Sequence, residues 1–78
     1  MIRELDTIVL DDNLPEHGLK RGDLGAVVLV HPGDSGYEVE FVALDGETVA
    51  LVSLLPTQVR PIGRREIAHA RAVELGAS

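Results

Sequence analysis

The sequence predicts an all-β domain, a small, strongly bent barrel of about five strands over residues 1–62, followed by a helical tail over residues 63–78. Three observations carry this. Short runs rich in Val, Leu and Ile recur between turn clusters, the densest being Pro32-Gly33-Asp34-Ser35-Gly36. Tyr37-Glu38-Val39-Glu40-Phe41 alternates strictly between apolar and acidic residues, the period of a strand with one buried face. Before Gly63 almost nothing reads as helix, whereas Arg64 to Leu75 is rich in Ala and Arg, lacks proline and ends at Gly76.

Taken in order, Leu5 to Leu10 reads as a first strand, with Thr7 and Val9 opposing Ile8 and Leu10 across the pleat, and Asp11-Asp12-Asn13 ends it. Leu14 to Lys20 holds Pro15 and Gly18 and keeps no period, so it reads as a loop pinned by Leu14 and Leu19 folding inward. Lys20-Arg21-Gly22-Asp23 has the form of a type II turn, in which Gly22 supplies the positive φ of the third position. Gly25 stands at the mouth of the next strand, where a missing side chain marks a bulge or a close backbone approach. The strand from Ala26 to His31 is apolar on both faces, which predicts cover on both sides. Asp45-Gly46 predicts a two-residue primed turn, with positive φ at both centres, closing a hairpin over residues 37 to 54. Pro56 to Pro61 suits one 3₁₀ turn followed by a short extended piece. In the tail, Ile67, Ala68, Ala72 and Leu75 share one narrow apolar side of a helix, too short to be stable alone in water. Such a helix must dock on its own barrel, on a second copy or on a partner.

A chain of 78 residues buries about 60% of its unfolded surface, so the core is thin and a deep catalytic cavity is not expected. Phe41 and Tyr37 are its two aromatic residues, too few for a platform on which nucleic-acid bases stack. Cysteine is absent, which removes disulfides and thiolate chemistry and fits a reducing, cytoplasmic setting. No segment reaches the roughly 18 uninterrupted apolar residues of a membrane span. Charge is unevenly divided: residues 1–59 hold three basic against eleven acidic side chains, net −8, and residues 60–78 hold four arginines against two glutamates, net +2. An acidic body repels phosphate backbones and suits a basic protein partner.

The turn and strand Gly22-Asp23-Leu24-Gly25-Ala26-Val27 resembles the KOW-type Gly-x-x-Gly-x-Val pattern of SH3-like barrels. More specifically, Glu4-Leu5-Asp6-Thr7, Leu14-Pro15, Leu19-Lys20, Gly22-Asp23, Gly25, Tyr37 to Phe41 and Arg60-Pro61 resemble a bacterial family of small proteins of unknown function. The resemblance covers about residues 4 to 62 and leaves the tail outside. It implies an SH3-like barrel and an antitoxin-like or accessory role, with no established activity.

Candidate chemistry is sparse. His17, His31 and His69 stand at no metal-ligand spacing, and Ser35, Ser53 and Ser78 occupy no nucleophile elbow, so no catalytic residue, metal or cofactor is expected. Asp11, Asp12, Glu16 and Asp23 could gather on one rim, but their spacing is not that of a calcium loop and solvated acids are the simpler reading. Gly22-x-x-Gly25 is too short and too strand-bound to cradle phosphate, so Gly22, Gly25, Asp45 and Gly46 are assigned to turns. The leading expectation is a non-catalytic module that binds a protein partner through Asp11, Asp12, Glu16, Glu38 and Glu40. The tail adds a second contact through Arg64, Arg65, Ile67 and Leu75, or pairs two copies into a homo-oligomer. A nucleic-acid-binding barrel using Lys20, Arg21, Arg60, Arg64 and Arg65 is the alternative, and a small hydrolytic enzyme a distant third.

Overall fold

Five antiparallel strands account for the regular structure of the computed structural model, which describes residues 1–73. They are β1 (Thr7–Leu10), β2 (Leu24–Val30), β3 (Tyr37–Val42), β4 (Thr48–Leu54) and β5 (Val59–Pro61). Their order across the sheet is β4-β3-β2-β1-β5, a meander whose last strand returns beside the first. Three 3₁₀ turns, Pro15–His17, Pro32–Asp34 and Pro56–Gln58, each begin at a proline, where a fixed φ and a missing N–H cost nothing.

The sheet is curled, because side chains from all five strands meet in one cluster. Val52 and Leu54 of β4 and Val59 of β5, from opposite ends of the strand order, share it with Ile8, Leu10, Val27, Val39 and Phe41. The side chains of Val39 and Phe41 on β3 lean over Gly25, so that a Cβ there would lie 2.5 Å from Val39 Cγ1 and 2.9 Å from Phe41 Cε2. The absent side chain is therefore a packing requirement. Gly22 meets a different need: its φ is +98° with nothing within 4 Å, and the Asp23 N–H bonds to the Lys20 carbonyl at 3.0 Å to close the turn. Gly22 N–H bonds in turn to the Leu10 carbonyl at 2.7 Å, which fastens the turn to the end of β1.

The 14–20 loop is closed by reciprocal backbone bonds between Leu14 and Leu19 at 2.9 and 3.1 Å, with both side chains buried, as expected of it. Three expectations need correction. The hairpin of β3 and β4 exists, but its turn is wider: Gly46 N–H bonds to the Ala43 carbonyl and Ala43 N–H to the Glu47 carbonyl, each at 2.8 Å, and Gly46 has positive φ while Asp45 does not. This leaves a register shift between Phe41 and Val42. Strand β2 is covered on one side only, for Leu24, Val28 and Leu29 remain exposed, and a shift between Val27 and Leu29 turns its last residues.

The helix over Arg64 to Leu75 is absent from its described part, residues 64–73, and Leu75 lies outside the described residues. Polar bonds, one set local and one reaching far back along the chain, prevail over weak helical propensity here. Glu66 pairs both carboxylate oxygens with Arg60, at 2.9 and 2.7 Å, and accepts the Gly63 N–H, which forms a turn with Arg65 at φ +62° and blocks a helical start. Further on, Arg71 reaches back to Asp23 and holds the tail along the 14–20 loop, while Ile67, assigned to the helix's apolar side, is 94% exposed.

Gly25→Ala is expected to lower unfolding free energy by about 2–3 kcal/mol through overpacking, and Gly22→Ala by about 1–2 kcal/mol through left-handed strain. Asparagine, which tolerates left-handed backbone, should be accepted at position 22 and rejected at position 25, as urea unfolding would report.

Candidate functional site

The outward face of β2, β3 and β4 combines two features that ordinarily separate on a small protein surface. Because the curled sheet admits one face to the core, the outer set of alternate residues is left in solvent. By register Ala26 stands beside Glu40 and Leu51, and Leu29 beside Glu38 and Ser53. Leu24, Leu29, Val42 and Leu51 of these strands are each at least 41% exposed. Thr7, Leu24, Gly25, Ala26, Glu40 and Val42 line a shallow depression on this face.

Its two carboxylates are fixed. Glu38 Oε2 accepts the Ser53 hydroxyl at 2.6 Å and lies 2.8 Å from His31 Nε2. Glu40 Oε2 accepts the Thr48 hydroxyl at 2.8 Å. The Ser53 hydrogen bond foremost, and then that of His31, hold the Glu38 carboxyl below its ordinary value. Serine, histidine and glutamate here do not form a nucleophilic triad. The carboxylate stands between the other two and receives the serine's proton side, whereas nucleophilic attack needs the imidazole against the hydroxyl. The arrangement orients an anion instead.

The other residues singled out in the sequence lie elsewhere, and Asp11 and Asp12 among them are engaged in local structure. Asp11 pairs with Arg21 at 2.8 Å, and Asp12 accepts the Asn13 N–H at 2.8 Å and the Gln58 amide at 3.2 Å. Glu16 sits exposed on the Pro15–His17 turn, and Arg64 and Arg65 are exposed after β5. The anticipated acidic surface is thus two groups, one at the end of β1 and one on the outer face of β3. Asp23 does not join Asp11, Asp12 and Glu16 in a cation site, and no group able to hold a metal occurs among the described residues.

Sequence reasoning passed over Arg71. Its guanidinium donates to Asp23 Oδ1 from Nε at 2.9 Å, to Asp23 Oδ2 from Nη2, and to the Gly18 carbonyl from Nη2 at 3.0 Å. Partial burial pushes the Asp23 carboxyl up, but the bonds from Arg71 and the Lys20 N–H outweigh it and leave the group below 3.8. Local spacing could not reveal a partner 48 residues away.

Residues 4–61 match the family described as Domain of unknown function (DUF4926). The chain belongs to this family. No curated protein and no solved structure matches it. The family's matched segment runs through β5 and ends before Glu66 and Arg71. No helix among the described residues is long and apolar enough to cross a membrane.

Ser53→Ala is expected to return the Glu38 pKa toward 4.5 by more than His31→Ala does, read by carboxyl-carbon NMR. Glu66 is drawn from 4.5 down to about 2, chiefly by the Arg60 hydrogen bonds. A lowered carboxylate pKa stabilises above the unfolded value and is lost as pH falls through the folded one. The turn over residues 60–66 should therefore remain closed at pH 4.5 and open toward pH 2, followed by the amide resonance of Gly63.

Proposed function

We propose that this protein is a non-catalytic interaction module, an antitoxin-like or accessory subunit, that binds a basic protein partner through the outer face of β2, β3 and β4. One observation carries the reading: exposed Leu24, Leu29, Val42 and Leu51 share a face with Glu38 and Glu40, whose carboxylates are already oriented by Ser53, His31 and Thr48. Exposed apolar side chains sharing a face with fixed charge suit a protein interface, since the apolar part supplies affinity on burial and the charge selects the partner. The chain's net charge of −6 adds long-range attraction for a basic partner.

An SH3-like barrel is the architecture this reading adopts. The five-stranded meander with β5 returned beside β1, together with the Gly22-to-Val27 turn and strand, supports it. A protein is favoured over nucleic acid because, of the five basic residues a nucleic acid would use, Arg21 and Arg60 are each engaged by a carboxylate of the same chain, and phosphate would have to displace those bonds.

The test is affinity capture from the native host at low salt. The double variant Glu38→Lys, Glu40→Lys should lose its partner about tenfold or more, while Glu16→Lys, on the loop, retains it. Equal capture by the double variant and the unaltered chain overturns the proposal.

A further inference from the structure

The acceptors that receive Arg71 are held in place without it. Asp23 Oδ2 accepts the Lys20 N–H at 2.8 Å across the Gly22 turn, which fixes the carboxylate plane. Gly18, in the left-handed region at φ +70°, caps the Pro15–His17 turn, and the next N–H, of Leu19, donates to the Leu14 carbonyl at 3.1 Å, which fixes the peptide plane that carries the Gly18 carbonyl. Two carboxylate oxygens side by side with a carbonyl form an acceptor set matched to the planar fork of a guanidinium, and an ammonium fills it poorly. Every acceptor belongs to residues 18–23, inside the family segment, whereas the arginine comes from beyond its end. Beside the arginine an open cavity, lined by Asn13, Pro15, Leu19, Lys20 and Ala72, has room for residues flanking a guanidinium.

We propose that Asp23 and the Gly18 carbonyl form an arginine-recognition site whose resting occupant is Arg71, and that an arginine-bearing segment of a protein partner takes the site by displacing the tail. This goes beyond the outer-face reading: Asp23 precedes β2, whereas Glu38 pairs with Leu29 near that strand's other end, so each site succeeds or fails by itself. A tethered occupant competes at an effective concentration of order millimolar, so the tail sets a threshold that an incoming segment must exceed.

The experiment uses the full chain, ¹⁵N-labelled, as unaltered protein and as Arg71→Ala, titrated with a free peptide copying residues 66–73 and with the same peptide carrying lysine for arginine. The arginine peptide is expected to shift the Gly18, Lys20 and Asp23 amides of Arg71→Ala at a concentration at least about tenfold below that needed for the unaltered chain. The lysine peptide should be about tenfold weaker again, and Asp23→Asn in the Arg71→Ala background should abolish the response. If Arg71→Ala loses the dispersed spectrum of the folded chain, Arg71→Lys carries the same comparison. Equal responses from the unaltered chain and the variant, equal responses to the two peptides, or shifts that survive Asp23→Asn overturn the proposal.

Discussion

The packing of the Val39 and Phe41 side chains over Gly25 is the constraint on which the rest of the structure depends. The core has Phe41 and Tyr37 as its only aromatic residues, so it closes by bringing small and branched side chains together, and Val39 and Phe41 occupy the space that a Cβ at position 25 would need. With those side chains seated over Gly25, Val52 and Leu54 of β4 and Val59 of β5 join Ile8, Leu10 and Val27 in one cluster. A side chain at position 25 would displace Val39 or Phe41 from a core that is already thin. The Gly22 turn serves the same end by fastening the start of β2 to Leu10.

The curvature also decides what remains outside. A sheet with a single cluster on its inner face leaves the alternate residues in solvent, and here those are leucines and valines interleaved with Glu38 and Glu40. Carboxylates with tethered geometry lose little side-chain freedom on meeting a partner, which lowers the ordering cost of association. At the other end of β2 the same chain binds a guanidinium of its own. The two ends of β2 thus lie near fixed anionic groups, Asp23 already occupied by the tail and Glu38 on the outer face.

Much of this was legible in the sequence, and the reasons are local. The alternation of Tyr37 to Phe41 specifies β3 and its faces, the proline at 56 marks a 3₁₀ turn, and Gly22 marks a turn of positive φ, whereas the prolines at 15 and 32 read only as loop and turn. What was not legible depended on distant partners. The apolar run of β2 suggested cover on both sides, but the second side has no layer among the described residues. The tail's composition suggested a helix, yet Arg60 on Glu66 and Asp23 on Arg71 redirect it, because bidentate charged bonds outweigh the weak preference of a short segment with a narrow apolar side. Of the candidate surface, Glu38 and Glu40 could be named from alternation, while the separation of Asp11 and Asp12 from them followed from strand order alone.

The central claim, that a basic protein seats on the outer face at Glu38 and Glu40, is tested most directly by zero-length carbodiimide cross-linking in extract of the native host, read by mass spectrometry. The reagent joins a carboxylate to a lysine amine only where the two already touch. The account predicts linked peptides in which Glu38 or Glu40 is bonded to a lysine of another protein. Cross-links to another protein found only at Asp11, Asp12 or Glu16 would contradict it.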